Sequence, residues 1–165
     1  MNRVLKSAII LSLAFSGPAM SAPSFSTATI PVSATVVDSC SVSATALSFG
    51  NYNPLSASAV DTSGTISALC TIGTPFSISL NEGMGPGASV GGRKLSLGDG
   101  ISIDYAIYSD ANRTTIWGDS TNGTSVQTGV GNGASQDFSM YGRLPGAQLA
   151  AVGVYTDTIT VTISY

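Results

Sequence analysis

Two cysteines, Cys40 and Cys70, are the residues of this sequence best suited to covalent chemistry. A metal site would need further ligands, and the 165-residue chain contains no histidine. In an oxidising compartment the default state of such a pair is a disulfide, and only one connectivity exists. Closing a loop of about 30 residues would stabilise the fold by about 3–4 kcal/mol. The pair therefore predicts a structural disulfide and no cofactor.

A glycine-rich stretch supplies two weak catalytic motifs. Residues 87–91 fit the G-x-S-x-G pattern of serine nucleophiles, but such a serine needs a general base and there is no histidine for a triad. Residues 83–88 loosely fit a dinucleotide-binding fingerprint, yet they contain a proline and precede no helix pattern. Asp99, Asp104 and Asp110 lack metal-ligand spacing and fit turn or solvent-facing roles. The sequence therefore predicts no catalytic, cofactor-binding or metal-binding residue, and a protein that is not an enzyme.

Short runs with apolar residues at every second position dominate the chain, and they predict strands rather than helices. Two glycine-rich stretches, residues 81–92 and 118–133, are too long for tight hairpins and predict surface loops. Cys40 and Cys70 both fall on the apolar parity of their runs, so their disulfide should join the first two domain strands inside the core. The expected fold is an all-β, immunoglobulin-like antiparallel sandwich. The alternating runs cover residues 30–36, 40–44, 66–72, 76–80, 95–97, 101–107 and 159–165.

The first 21 residues have the layout of a secretory signal peptide. Arg3 and Lys6 precede an apolar run at residues 8–15, and Ala19 and Ser21 fit the small-residue positions of a cleavage site. The apolar run is under half of the roughly 20 residues that a membrane span needs. We therefore expect residues 1–21 to direct export through the periplasm, with no membrane span in the mature chain.

The charge balance excludes a class of partner. Removing Arg3 and Lys6 with the signal peptide leaves four basic residues against nine acidic ones, a net charge of −5. Such a surface has no basic patch to neutralise phosphates, so we expect no nucleic-acid partner. Only 9% of the residues are charged, which suits a chain that packs among its own copies.

An arm at residues 22–37 precedes the domain, which we expect to span residues 38–165. Its apolar residues alternate as in a strand, although it lies before the first domain strand. A strand of this kind is a liability if its edge stays exposed, so it should complete a sheet, either its own or a neighbour's. Pro31 cannot donate a ladder hydrogen bond, so the well-paired part of the arm is expected to begin at Val32.

A series of short motifs follows Cys40 and extends to near the end of the chain. They are Leu47-Ser48-Phe49-Gly50-Asn51-Tyr52-Asn53-Pro54, Cys70-Thr71-Ile72-Gly73-Thr74-Pro75, Leu80 with Gly83, Arg93, Tyr105-Ala106-Ile107-Tyr108-Ser109-Asp110, Trp117-Gly118, Tyr141-Gly142-Arg143-Leu144-Pro145 and Tyr155-Thr156-Asp157-Thr158-Ile159-Thr160-Val161-Thr162. Each motif is weak alone, but their order and spacing together are specific. With them the chain resembles the spore coat protein U domain family, whose best-known members are pilins of archaic (Csu-type) chaperone–usher fimbriae.

The resemblance implies a mechanism of assembly. Pilins of this kind are immunoglobulin-like sandwiches that lack their last strand, and the N-terminal donor strand of a neighbouring subunit supplies it. A periplasmic chaperone fills the groove first, and exchange takes place at an outer-membrane usher. The donor side chains implied here are Ile30, Val32, Ala34 and Val36. The edge strand that would bind the chaperone and then the donor carries Ile159, Val161, Ile163 and Tyr165.

The function implied is that of a fimbrial shaft or minor subunit, joined to identical or homologous subunits at the cell surface and serving adhesion and biofilm formation. Two other classes remain open. One is a secreted coat or matrix protein of the same fold that is not assembled into a chaperone–usher pilus. The other is a carbohydrate-binding module using aromatic residues, although these more often serve as core or subunit contacts. The aromatic residues concerned are Tyr105, Tyr108, Trp117 and Tyr141.

Overall fold

A computed structural model describes residues 17–18 and 20–165, so the predicted signal peptide lies almost wholly outside the described residues. The chain divides into two units at Thr35 and Val36. In the first unit, residues 20–35 form no strand. The described residues contain no helix that is long and apolar enough to cross a membrane.

The second unit, Val36–Tyr165, is built from eight strands and has no helix. All of its strand pairs are antiparallel, as the alternating sequence predicts. The strands are β1 (Cys40–Ala44), β2 (Val60–Cys70), β3 (Pro75–Leu80), β4 (Arg93–Gly98), β5 (Ile101–Tyr108), β6 (Gln127–Val130), β7 (Ser135–Leu144) and β8 (Val161–Ser164).

The strands form two sheets with immunoglobulin-like order. The larger sheet runs β1-β2-β7-β5-β4 and the smaller runs β6-β3-β8. In an immunoglobulin domain, strands A, B, E and D form one sheet, and strands C, F and G form the other. The order β1-β2-β7-β5 corresponds to A-B-E-D, and the neighbours β3 and β8 correspond to C and F. The predicted all-β, immunoglobulin-like sandwich is therefore confirmed.

The core lies between the inner faces of the two sheets. Each strand contributes every second side chain to it, because successive residues of a strand point to opposite faces. The buried apolar residues are Ile66, Ala68 and Cys70 from β2, Phe76, Ile78 and Leu80 from β3, Ile103, Tyr105 and Ile107 from β5, Met140 and Leu144 from β7, and Trp117.

The disulfide predicted between Cys40 and Cys70 is confirmed. The two residues are direct cross-strand partners in the register of β1 and β2. Cys70 is buried in the core, and Cys40 is half-buried beside it. The bond therefore fixes the edge strand β1 at the end where the arm leaves the domain.

A buried arginine links residues 80–81, at the end of β3, to the loop that contains Trp117. Arg93 is fully buried, and its guanidinium donates hydrogen bonds to the carbonyl oxygens of Asn81 (2.9 Å), Trp117 (2.9 Å) and Leu80 (3.3 Å). The indole Nε1 of Trp117 donates in turn to the carbonyl of Ile78 across 3.0 Å. Burial lowers the pKa of Arg93, while nearby acidic groups partly offset that effect. These bonds anchor the loops that flank the smaller sheet.

Two strands contradict the sequence-based expectations. Residues 118–133 were expected to form a surface loop, but they contain β6. The central strand β7 was not predicted at all, although it pairs with both β2 and β5. The inward positions of β7 include Gln136 and Gly142, which weaken its apolar alternation. In β6 the inward Gly129 packs so closely on the ring of Phe76 that no side chain would fit.

Candidate functional site

The smaller sheet has an open edge at β8. Within the described residues, β8 pairs only with β3 and no strand occupies the place of an immunoglobulin strand G. The edge strand β1 of the larger sheet lies close to β8 across the gap between the sheets. A strand edge without a partner presents a row of unpaired N–H and C=O groups. The domain therefore offers a site where another extended chain can bind.

A cavity of about 270 Å³ lies between the two sheets at this open edge. One wall comes from the end of β1 and the residues that follow it (44–47 and 49), and the other from the start of β8 and the residues that precede it (157–159 and 161). The floor is formed by core residues of the large sheet and by β3, namely Leu80, Leu95, Tyr105, Ile107 and Met140. The lining is mainly apolar, so it suits branched aliphatic side chains.

A second cavity, of about 670 Å³, continues the first. Both cavities are lined by Leu47, Phe49 and Leu95. The second extends along residues 47–54 on one side and 150–155 on the other. Together the two cavities form one cleft along the open seam of the sandwich.

The walls of the cleft are apolar residues that the domain covers only in part. Leu47 and Phe49 pack close to Gly142 of β7, where a side chain would collide with both. The ring of Phe49 also meets Tyr105 edge-on, with 5.9 Å between the centroids. On the opposite wall, Ile159 and Val161 are half-buried. An added strand would complete the burial of these side chains.

One polar network crosses the floor of the cleft. The hydroxyl of Tyr105 donates to Oδ2 of Asp157 across 2.7 Å, and burial raises the pKa of this hydroxyl. Oδ1 of Asp157 accepts from the backbone N–H of Met84 (2.6 Å) and of Thr158 (2.7 Å). Just beyond, the side-chain oxygen of Asn81 accepts from the N–H of Thr160 across 2.8 Å. These contacts fix the path of the chain into β8.

The predicted edge residues lie along this seam. Val161 and Ile163 are half-buried residues of β8, and Ile159 is half-buried just before it. Tyr165 follows the strand and is exposed. The predicted donor side chains Ile30, Val32, Ala34 and Val36 are all exposed and lie outside any strand.

Sequence reasoning missed most of the cleft walls. The segment 150–155 was not assigned a role, because Ala150, Ala151 and Gly153 interrupt any apolar alternation there. The sequence marks Leu47 and Phe49 as a change of apolar parity after Cys40, Val42 and Ala44, and it marks Tyr52 only as part of a family motif. The apolar Leu47 and Phe49 on either side of the polar Ser48 are the sequence signal that could have identified this segment as a wall, and the structure shows both half-buried.

The residues considered for other chemistry have structural roles. Trp117 and Tyr105 are buried in the core and cannot form a surface for sugars. Asp104 forms a salt bridge with Lys94 at the surface. Asp110 accepts hydrogen bonds from the backbone N–H groups of Thr114 and Thr115, which lower its pKa and close a turn. No group of candidate metal ligands occurs in residues 17–18 or 20–165.

Comparison with known proteins agrees with the architecture. The Spore Coat Protein U domain family matches residues 26–162. This chain belongs to that family. Protein U of Myxococcus xanthus is 32% identical over 153 residues, which cover 84% of each chain. Family membership marks the chain as a structural protein and not an enzyme.

A solved structure shares the fold. It is a chain from the CsuC–CsuE chaperone–tip adhesion subunit pre-assembly complex of the archaic chaperone–usher Csu pili of Acinetobacter baumannii. The TM-score is 0.57 at 23% identity, and the match covers 79% of this chain. It spans only 40% of the solved chain.

Proposed function

We propose that this protein is a structural subunit of a surface fimbria, assembled by donor-strand exchange in a chaperone–usher pathway. The observation that carries the proposal is the edge of β8, which has no partner strand among the described residues and lies beside an apolar cleft in the place of strand G. The cleft needs an extended chain with apolar residues at every second position. The arm of a second copy has that pattern at Ile30, Val32, Ala34 and Val36.

The length and energetics of the arm support this proposal. Residues 26–37 would extend over about 40 Å as a strand, which is enough to cross a domain. Burying three branched side chains would contribute about 5–9 kcal/mol, at about 1.5–3 kcal/mol each. Backbone hydrogen bonds to the open edge of β8 would add to this. Repeated at every junction, such a contact gives a durable polymer.

Before exchange, a periplasmic chaperone would occupy the same cleft, and an outer-membrane usher would then replace it with the next subunit's arm. The related fold in a chaperone–subunit pre-assembly complex supports this order of events. The pathway requires export, for which residues 1–21 provide the signal peptide. The fibre would stand at the cell surface, where its role would be adhesion and biofilm formation.

Paired substitutions in the arm test the exchange directly. In the full mature chain, Val32→Asp or Val36→Asp should abolish oligomers that survive unheated SDS, because each places a charge in the apolar cleft. Ser33→Asp and Thr35→Asp add the same charge on the other face of the arm and should leave the oligomer ladder intact. Equal ladders from both pairs would contradict the proposal.

The register of the arm can be tested in the same way. Because Pro31 interrupts the ladder, Ile30→Asp should weaken the oligomers less than Val32→Asp does. The measurement is the temperature at which each variant's oligomers dissociate in SDS. A stronger effect at position 30 than at position 32 would place the well-paired segment earlier in the arm.

A secreted coat protein is the second candidate function, and the match of residues 26–162 to the Spore Coat Protein U domain family favours it. In that case the arm would insert into its own domain and give stable monomers. Molar mass from light scattering, measured on the mature chain after refolding, separates the two. Oligomers support a fimbrial subunit, whereas a stable monomer supports a coat or matrix protein.

A further inference from the structure

The arm is joined to its domain by a short tether that is held in place. Only residues 37–39 separate the last proposed donor residue, Val36, from the first strand residue, Cys40. Three extended residues span about 10 Å. Within the domain, Asp38 accepts a hydrogen bond from the hydroxyl of Thr74 (2.6 Å), and the carbonyl of Ser39 accepts one from the N–H of Thr71 (2.9 Å). The exit point of the arm is therefore fixed to the turn at residues 71–74.

At this turn lies an exposed apolar patch, which we call the leading patch and define as Ile72 of the turn and Val130, the last residue of β6. Ile72 is 77% exposed and Val130 is 57% exposed. The residues that follow them are joined directly, because the N–H of Gly73 donates to the carbonyl of Gly131 across 2.8 Å. Neither side chain packs into the core of its own domain.

A second exposed apolar patch, the trailing patch, consists of Leu149, Val152 and Val154. Leu149 and Val152 are fully exposed, and Val154 is 80% exposed. They belong to the connection between β7 and β8, which also lines the larger cavity of the cleft. This connection therefore presents three branched side chains to solvent within six positions.

The two patches lie at opposite ends of the domain. Cys40 pairs with Cys70, immediately before the turn that carries Ile72. At the other end, β7 finishes at Leu144 opposite Val60 and leads into the trailing patch. The end of β8 lies near the leading patch, since Ser164 pairs with Ser77 near the start of β3.

An arm in the place of strand G would run antiparallel to β8, as strand G does in a complete sandwich. It would enter beside Ser164 and leave beside the trailing patch. The domain of the incoming copy begins within about 10 Å of its Val36. The end of that domain nearest to the receiving copy is therefore the end that carries the leading patch. We propose that successive copies make a second, apolar contact, in which the leading patch of the incoming copy packs on the trailing patch of the receiving copy. This contact rests on the proposed donor-strand function.

Engineered disulfides test the contact in the full mature chain. Ile72→Cys combined with Val152→Cys should give a covalent ladder of copies on non-reducing, heated gels after mild oxidation. The matched control combines Ile72→Cys with Ser139→Cys, which is exposed in the middle of the outer face of β7. Peptide mapping of the native Cys40–Cys70 bond in each variant shows that the domain has folded.

The outcomes separate this contact from the proposed function. A heated ladder for the 72–152 pair, and at least a tenfold weaker one for the 72–139 pair, supports the contact. Oligomers that survive unheated SDS but form no 72–152 bond overturn the contact and leave donor-strand exchange standing. Ile72→Cys alone is a further control: a bond between position 72 of two copies would mean that the arm runs parallel to β8, and this also overturns the contact. Monomers alone would overturn the proposed function, and the contact with it.

Discussion

The hydroxyl of Tyr105 donates a hydrogen bond of 2.7 Å to Oδ2 of Asp157 on the floor of the cleft. Tyr105 belongs to β5 of the larger sheet, while Asp157 begins the segment that leads into β8 of the smaller sheet. The bond therefore joins the two sheets beside their open seam. Because Asp157 also accepts from the N–H of Met84, one carboxylate sets the position of the cleft wall.

Glycine at position 83 is required by this carboxylate. Gly83 has a φ of +87°, and a Cβ there would lie 2.2 Å from Oδ2 of Asp157. Gly83→Ala should cost about 1–2 kcal/mol for the left-handed backbone, and a further 1–3 kcal/mol for the displaced hydrogen bonds. Gly87→Ala is the matched control, since its φ is +69° but nothing lies within 4 Å of the added Cβ. Urea unfolding of both variants checks the difference, and equal losses would mean that the Asp157 contact carries no stability.

The disulfide should supply a large share of the stability of the domain. Replacing both Cys40 and Cys70 by serine should lower the free energy of unfolding by about 3–4 kcal/mol, because the unfolded chain regains the freedom of a loop of about 30 residues. Chemical denaturation of the variant, and of the wild type with and without a reductant, measures this loss. An unfolding midpoint that does not move on reduction would contradict the prediction.

The buried guanidinium of Arg93 should be irreplaceable by another cation. Arg93→Lys keeps the charge but cannot reach all three carbonyl acceptors at Leu80, Asn81 and Trp117. Each buried acceptor left without a donor costs about 1–3 kcal/mol. Lys94→Gln next to it removes only a surface ion pair with Asp104 and should cost no more than about 1 kcal/mol. Thermal melts that rank the two variants in the reverse order would overturn the assigned role of Arg93.

Acid should weaken the domain partly through Asp61. The hydrogen bonds from Arg143, at 2.8 Å to each carboxylate oxygen, hold the pKa of Asp61 below its ordinary value, and the charge of Arg113 adds to this. A carboxylate with a lowered folded-state pKa stabilises fully at neutral pH, and its contribution is lost as the pH falls through that pKa. Asp61→Asn should therefore flatten the fall in stability between pH 5 and about pH 2.

A double-mutant cycle isolates this ion pair. Asp61→Asn, Arg143→Gln and the double variant are compared by urea unfolding at neutral and acidic pH. The coupling should be at most about 1 kcal/mol at neutral pH because the pair is exposed, and it should vanish in acid. A coupling that persists in acid would show that the pair acts through packing and not through charge.

Much of this fold can be predicted from the alternation of polar and apolar residues, because one face of each strand meets water and the other faces the core. The runs of branched residues predict β2, β3, β5 and β8, and the parity of Cys40 and Cys70 predicts their bond across β1 and β2. The central strand β7 escapes prediction because its inward side carries Gly142, whose missing side chain makes room for Leu47 and Phe49. That space is set by residues almost a hundred positions away, so no local pattern reveals it.

The candidate site is predictable in outline and not in detail. The extended arm and the strand that carries Val161 and Ile163 follow from period-two alternation, whereas the assignment of that strand as the open edge follows from the family resemblance. The opposite walls, at residues 47–54 and 150–155, lie outside the strands and come together only in the folded domain. The residues of the trailing patch lie among alanines and a glycine and show no regular alternation. Their exposure depends on where the sandwich ends, which the local sequence does not show.

Complementation of the domain by its own arm tests the central claim most directly. The chain would be truncated to begin at Asp38, and its thermal unfolding followed with and without a synthetic peptide of residues 24–37. Binding of this peptide should raise the melting temperature by tens of degrees, whereas a peptide with Val32→Asp and Val36→Asp should have no effect. If the truncated domain is already stable and ignores the peptide, the sandwich is complete without its arm, and donor-strand assembly is wrong.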